Sequence, residues 1–260
     1  MKLAITGKGG VGKTTLASLL ARSYAAEGRV VLAIDADPDA NLGGALGFGA
    51  DEVANLTPVS EMKDLIEERT GMRPGTTGGM FKLNPRVDDI PERFALRHNG
   101  VRLLIMGTVK MGGGGCACPE GVLLKSLVNH LMLGSREVVI MDMEAGIEHM
   151  GRATAQAVDA FIVVVEPGRR SVQTAESIKK LALDIGITKC YVVGSKIKND
   201  ADREFISVNL PGFEILGYLS LSEKIAEADR RGVSAFDIDP NAVEEANRIK
   251  ARLEELCKGD

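Results

Sequence analysis

Short runs of consecutive hydrophobic residues recur along the chain, and most of them are continuous rather than alternating with polar residues. Continuous apolar runs are typical of strands that are covered on both faces in a parallel sheet. We predict strands of this kind at Lys2–Thr6, Val30–Asp35, Val101–Met106, Glu137–Asp142, Ala160–Glu166, Cys190–Ser195 and Glu214–Leu219.

Longer stretches with a helical spacing of apolar residues separate these runs. A chain in which strands alternate with helices forms a doubly wound, mostly parallel α/β sheet with helices on both faces. Ligands of such sheets bind beyond the carboxyl ends of the strands, so the residues that follow the strands are the candidates for function. We predict the helices at about Lys13–Glu27, Pro58–Arg69, Gly121–Leu133, Val172–Ile185 and Asp239–Cys257.

The whole chain, residues 1–260, is predicted to form one α/β domain, because no linker or internal repeat divides it. The segment 71–99 is rich in Gly, Pro and charged residues, and we expect it to be an irregular excursion. The only low-complexity patch is the glycine run Gly112–Gly115.

Charge and composition exclude several classes of protein. Lys and Arg number 32 against 36 Asp and Glu, and this net charge of −4 disfavours nonspecific binding to DNA or to an anionic membrane. No apolar run approaches the ~20 residues that span a bilayer, and the first one ends too early for a signal peptide. We therefore expect a cytoplasmic protein that binds neither nucleic acid nor membrane. The 30 Gly and the absence of Trp favour tight phosphate-binding turns over base-stacking surfaces.

A phosphate-binding loop is predicted between the first strand and the first helix. Residues Gly7–Thr14 fit the pattern G-x-x-x-x-G-K-[ST], in which glycines let backbone N–H groups converge at a helix N-terminus. Lys13 is expected to contact the β- and γ-phosphates, and the Thr14 hydroxyl to bind Mg²⁺. The predicted nucleotide-binding residues of this loop are Gly9, Gly10, Val11, Gly12, Lys13, Thr14 and Thr15.

Two carboxylates at the ends of predicted strands complete this site. Asp142 follows the apolar residues of its strand, and we expect it to hold Mg²⁺ through water. Asp35 ends the second strand and is expected in the outer shell of the same ion. Gly146, a few residues after Asp142, would let its backbone N–H approach the γ-phosphate and so link nucleotide state to loop position.

The pair Cys116 and Cys118 follows the glycine run. Two thiols at this spacing serve as metal ligands, as a redox pair or as free loop cysteines. A soft divalent metal usually takes four ligands, which one pair does not supply but a two-fold dimer does. Four thiolates suit Zn²⁺ when tetrahedral and Ni²⁺ when planar. We interpret Cys190 and Cys257 as structural.

The loop residues Lys8–Thr15 resemble the deviant Walker A motif of the dimeric ATPases that include the nitrogenase iron protein and the septum-positioning and plasmid-partition ATPases. The resemblance implies that Lys8 reaches across a dimer interface to the phosphates of the partner's nucleotide. It also implies that Asp37 orients the attacking water. Members of this class often contact adenine with an Asn-Lys pair. Here that position is Ser195-Lys196, so Lys196 remains the candidate, and a preference for ATP over GTP rests on the resemblance.

The whole chain is similar to the nickel-insertion ATPases of carbon monoxide dehydrogenase maturation, the CooC family. This resemblance implies an ATP- and Mg²⁺-dependent homodimer that forms on nucleotide or metal binding and holds Ni²⁺ or Zn²⁺ between its subunits. Its client would be carbon monoxide dehydrogenase or acetyl-CoA synthase, into whose active-site cluster nickel is loaded. The stretches that carry the resemblance are Lys8–Thr15, Asp35–Asp39, Glu61–Asp64, Cys116–Cys118 and Asp142–His149.

Two other functions occur on this fold. An iron–sulfur carrier or electron donor also places cysteines at a dimer axis, but carriers typically use C-x-x-C near the C-terminus, where this chain has only Cys257. A positioning ATPase that binds membrane or nucleoid has no use for Cys116 and Cys118, and the acidic C-terminal helix opposes that function. We favour the metallochaperone, in which nucleotide state changes metal affinity while the Gly112–Gly115 run acts as a hinge.

Overall fold

The computed structural model describes residues 1–76, 80–107, 118–134, 137–144 and 158–258. Its strands and helices follow in the order β1 (Lys2–Gly7), α1 (Lys13–Ala26), β2 (Val31–Ala36), α2 (Leu42–Leu46), α3 (Ala50–Ala54), α4 (Lys63–Thr70), α5 (Ile90–Phe94), β3 (Leu96–His98), β4 (Val101–Ile105), α6 (Pro119–Gly134), β5 (Val138–Met143), β6 (Ala160–Val165), α7 (Arg169–Asp184), β7 (Cys190–Ile197), α8 (Asp200–Asn209), β8 (Glu214–Ser220), α9 (Glu223–Arg231), α10 (Ala235–Ile238) and α11 (Pro240–Lys258).

The strands of the described residues form one sheet of eight in the order β3-β4-β2-β5-β1-β6-β7-β8. All neighbouring pairs are parallel except β3 and β4 at one edge. The chain therefore winds outward from β1 in both directions. In such a sheet the crevice at the carboxyl ends of the central strands is the expected ligand site. The single sheet, which includes strands from both ends of the chain, supports the proposal of one domain.

Each face of the sheet is covered by its own hydrophobic core. Alternate residues of β1 point to opposite faces, so Ala4 packs in one core while Leu3 and Ile5 pack in the other. The first core includes residues of α6 and α7, and the second includes residues of α1 and α11. Burial on both faces is the reason for the continuous hydrophobic runs. The predicted fold class, a doubly wound α/β sheet, is confirmed.

Every predicted strand is present, with small differences at its ends, but the segment predicted to be irregular is not wholly so. It contains α5 and β3. Strand β3 forms a hairpin with β4 across Asn99 and Gly100, whose φ angles of 47° and 77° are typical of a two-residue turn of this kind. The Asn-Gly dipeptide would have predicted this hairpin.

Several helices were also missing from the prediction. Helices α8 and α9 have only ten and nine residues, and each fully buries a single residue, Ile206 and Ala228, so each contributes little to the core. The predicted helix at 58–69 is divided into a short 3₁₀ turn at Val59–Glu61 and α4. Within the described part of the chain, no helix is both long enough and apolar enough to cross a bilayer.

Candidate nucleotide and metal sites

The turn between β1 and α1 has the shape that a phosphate-binding loop requires. Gly10 and Gly12 have φ angles of 76° and 100°, a region that residues with a Cβ rarely adopt. A Cβ on Gly12 would also lie 2.9 Å from Ser195 Oγ at the end of β7. The loop is therefore packed closely against β7, and glycine is needed at Gly12 for both conformation and space.

Lys13 lies at the base of this loop, where α1 begins, and is buried. Its Nζ lies 3.8 Å from Asp37 Oδ2 and donates a long hydrogen bond of 3.5 Å to the Lys8 carbonyl oxygen. A buried ammonium needs a close anionic partner, and a nucleotide phosphate would provide one. The structure thus brings Lys13 and Asp37 together beside the loop, as their predicted roles require.

Thr14 and Asp142 form a pair of oxygen donors suited to Mg²⁺. The Thr14 hydroxyl donates to Asp142 Oδ2 at 2.7 Å. The second carboxylate oxygen, Asp142 Oδ1, is buried and has no hydrogen-bond partner among the described residues. Burial raises the pKa of Asp142 to about 6, although the Thr14 hydroxyl and the Lys13 charge oppose the shift. Mg²⁺ is bound in proteins by one or two carboxylates, hydroxyls and phosphates, so this donor set fits the ion.

Asp35 lies beside Asp142, because the two residues are register partners of β2 and β5. Its Oδ2 accepts from the Leu42 N–H at 2.9 Å and its Oδ1 from the Asp37 N–H at 3.2 Å. Burial, with the nearby Asp142 charge, raises the pKa of Asp35 to about 7. Asp35 therefore ties the Asp37 loop and the start of α2 to the sheet, and its place in the outer shell of Mg²⁺ stays a prediction.

The two other lysines of the site share one carboxylate, Glu166. Lys8 Nζ lies 3.2 Å from Glu166 Oε1, and Lys196 Nζ lies 3.6 Å from Glu166 Oε2. Lys196 Nζ also donates to the Gly10 carbonyl oxygen at 2.5 Å, and Lys196 has an unusual φ of 57°. Glu166 was not among the predicted site residues, although it ends a predicted strand as Asp35 and Asp142 do.

Of the predicted metal pair, the structure describes only Cys118, which precedes α6. Its Sγ accepts from the Gly121 N–H at 3.4 Å. Burial raises the pKa of the Cys118 thiol, and the neighbouring Glu120 raises it further, while the Gly121 N–H lowers it. Cys116, the run Gly112–Gly115, Gly146 and His149 lie outside the described residues. Among the residues that are described, no group of three or more His, Cys, Asp or Glu could hold a metal ion.

The remaining cysteines lie elsewhere. Cys190 begins β7, and burial raises its thiol pKa to about 11. Cys257 lies near the end of α11, where its Sγ donates to the Asp159 carbonyl oxygen at 3.7 Å. Their interpretation as structural residues stays a prediction.

Comparisons with known proteins agree with this site. Residues 2–236 match the family model described as the CobQ/CobB/MinD/ParA nucleotide binding domain. The chain is 48% identical over 253 residues to the carbon monoxide dehydrogenase accessory protein CooC of Rhodospirillum rubrum, covering 97% of this chain and 96% of that protein. It is 44% identical to an uncharacterized ATP-binding protein of Methanocaldococcus jannaschii, with 96% of each chain covered. The MinD cell division protein of Aquifex aeolicus superposes with a TM-score of 0.68 over 98% of each chain, and at 20% identity this shows the shared fold alone.

Proposed function

The chain belongs to the CobQ/CobB/MinD/ParA family of nucleotide-binding proteins and is a CooC-type member of it, and on this premise we propose a homodimeric ATPase that delivers nickel. Its client is carbon monoxide dehydrogenase or acetyl-CoA synthase, and its cargo, Ni²⁺ or Zn²⁺, binds at a C-x-C site shared by two protomers. The observation that carries the ATPase is the pair of Thr14 and Asp142 beside the phosphate loop, in which Asp142 Oδ1 is buried without a hydrogen-bond partner in the described part of the chain.

The residues of the phosphate loop divide the work of binding and hydrolysis. When bound, ATP with Mg²⁺ supplies the transferable phosphoryl group and the divalent charge that neutralises it. The N–H groups of the loop bind the phosphates, Lys13 contacts the β- and γ-phosphates, and Thr14 and Asp142 hold Mg²⁺. Asp37, whose Oδ2 lies 3.8 Å from Lys13 Nζ, positions the attacking water.

The dimer is required twice in this proposal. Lys8 contacts the phosphates of the partner's nucleotide and neutralises charge that develops during hydrolysis. Cys116 and Cys118 of both protomers together supply four thiolates, which one protomer does not. The Gly121 N–H, whose hydrogen bond Cys118 Sγ accepts at 3.4 Å, favours the thiolate that a metal needs, while burial and Glu120 raise the pKa of the thiol, so the bound cation itself has to displace the proton.

Anaerobic metal stoichiometry tests the cargo site. Wild type, Cys116→Ser and Cys118→Ser are loaded with Ni²⁺ or Zn²⁺, and bound metal and molar mass are measured after size-exclusion chromatography. We expect about one metal ion per two chains in wild type, and loss of both the metal and metal-induced dimerisation in each variant. Cys257→Ser is the matched control and should retain the metal.

Two outcomes contradict the proposal. Equal amounts of iron and sulfide in the purified dimer would assign the protein to the iron–sulfur carriers of the same fold. Retention of nickel by both Cys116→Ser and Cys118→Ser would show that the cargo binds elsewhere.

A further inference from the structure

The contact between Lys8 and Glu166 joins the lysine proposed to act in the partner subunit to a carboxylate of its own protomer. We propose that Glu166 is a positioning residue that holds Lys8 against its own protomer and thereby limits ATP-dependent dimerisation. This inference rests on the proposed function, in which Lys8 must leave its own protomer to contact the partner's phosphates. A lysine bound to Glu166 is not free to cross the interface, so the two contacts compete.

The carboxylate is the fixed member of this pair. Glu166 directly follows β6, and its backbone N–H donates to the Oγ of the buried Ser171 at 3.1 Å. Strand β6 pairs on both sides, with β1 and β7, so the backbone that carries Glu166 is held within the sheet. Lys8 has the longer and more exposed side chain of the two, with 38% exposed against 28% for Glu166, so Lys8 is the partner that can change its contact.

Lys196 makes the release of Lys8 possible at a modest cost. Its Nζ lies 3.6 Å from Glu166 Oε2, the oxygen that Lys8 does not contact, and donates a hydrogen bond to the Gly10 carbonyl oxygen. When Lys8 leaves, Glu166 therefore keeps one cationic partner and is not left as an unpaired charge. The multiply charged phosphates of a partner's nucleotide then compete successfully with a single carboxylate for the ammonium of Lys8.

The expected effect follows from the exposure of the pair. A partly exposed ion pair changes an equilibrium by about two- to fivefold. Two-fold symmetry requires both copies of Lys8 to leave their Glu166 partners. The change of about two- to fivefold per ion pair therefore enters the dimer dissociation constant twice. Glu166→Gln should therefore tighten the ATP-dependent dimer about four- to twentyfivefold.

A double-mutant cycle tests the contact. The dimer dissociation constant is measured by sedimentation equilibrium, without transition metal and with a nonhydrolysable ATP analogue and Mg²⁺, for wild type, Lys8→Ala, Glu166→Gln and the double variant. Glu166→Gln should tighten the dimer when Lys8 is present and have no effect when it is absent. The gain should shrink at high salt, because exposed charges are screened. Glu176→Gln, on the exposed face of α7, should match wild type.

A second substitution guards against a simple effect of charge. Glu166→Asp keeps the negative charge beside the loop but withdraws the carboxylate by one methylene from Lys8 Nζ, which lies 3.2 Å from Glu166 Oε1 in wild type, so the contact is weakened. We expect it to tighten the dimer as well. Unchanged dimerisation in Glu166→Asp together with a gain in Glu166→Gln would overturn the inference in favour of a general repulsion of phosphate.

The remaining outcomes separate this inference from the proposed function. A weaker or unchanged dimer in Glu166→Gln, with a weaker dimer in Lys8→Ala, overturns the role of Glu166 and leaves the trans role of Lys8 standing. An equal gain from Glu166→Gln with and without Lys8 also overturns it. ATP-dependent dimerisation that Lys8→Ala does not alter contradicts the trans role itself.

Discussion

Asp35 and Asp142 are buried next to each other at the ends of β2 and β5. Burial raises their pKa values to about 7 and about 6, whereas in an unfolded chain both carboxyls titrate near about 4. The folded protein therefore binds these protons more tightly than the unfolded chain does. As the pH rises from about 4 to about 7, the two groups progressively reduce the free energy of unfolding of the nucleotide-free protein.

This electrostatic cost predicts the pH dependence of Asp35→Asn. The melting temperature of wild type, free of nucleotide and Mg²⁺, should fall between about pH 5.5 and about pH 8. The melting temperature of Asp35→Asn should fall less, because an amide has no proton to release. Scanning calorimetry at both pH values measures the difference between the two slopes. Asp184→Asn, at the exposed end of α7, is the control and should follow wild type. Parallel slopes for wild type and Asp35→Asn would contradict the prediction.

At the scale of elements, the contact of β7 with β8 depends on a residue without a side chain. A Cβ on Gly194 of β7 would lie 2.4 Å from Cδ1 of the Tyr218 ring on β8, and 3.1 Å from Ile206 Cδ1 on α8. Strand β7 also carries Ser195 and Lys196 to the phosphate loop. The packing of β7 against the edge strand β8 thus sets the position of one wall of the nucleotide site.

We therefore expect Gly194→Ala to destabilise the protein by about 1–3 kcal/mol, as overpacking of a filled core does. Gly44→Ala is the matched control, because Gly44 is exposed within the helix α2 and no atom lies within 4 Å of the added Cβ. It should leave the free energy of unfolding unchanged or raise it by up to about 1 kcal/mol, because Ala favours a helix over Gly. Denaturant unfolding of both variants measures these changes, and equal stabilities would show that the Tyr218 ring moves aside without cost.

At the scale of the whole molecule, the proposed metal and nucleotide sites share one packed layer. Leu123 and Leu127 of α6, the helix that follows Cys118, lie in the same core as Met141 and Met143, which flank Asp142 on β5. A shift of β5 when Mg²⁺ and nucleotide bind would therefore displace α6, the helix that follows Cys118. Close-packed interiors transmit such displacements rather than absorbing them.

This shared layer predicts a reciprocal coupling. We expect a nonhydrolysable ATP analogue to change the dissociation constant for Ni²⁺ by about 5–150-fold, and Ni²⁺ to change the affinity for the analogue by the same factor. Anaerobic titration calorimetry in both orders measures the two factors. In Cys118→Ser the analogue should bind without any response to Ni²⁺. A Ni²⁺ affinity that is equal with and without the analogue would make this mechanism wrong.

Much of the fold followed from the sequence, because its features are local. The continuous apolar runs predicted every strand except β3, and the predicted helices include the four longest of the described chain, α1, α6, α7 and α11. Strand β3 has three residues, and α2, α3 and α5 have five each, which is too few for a periodicity to appear. The phosphate loop and Asp142 were predicted for the same reason, since each lies within a few residues of a recognisable strand.

The sequence by itself thus determined the α/β class, the phosphate loop and the carboxylates that follow the strands, because the spacing of neighbouring residues decides all three. Only the tertiary structure decided which of these residues meet. Thr14 contacts a carboxylate 128 residues away and Lys8 one 158 residues away. Those contacts exist because the order β5-β1-β6-β7 places four strand ends side by side. That order minimises exposed apolar surface on two faces at once, which is a property of the packed molecule and of no single segment.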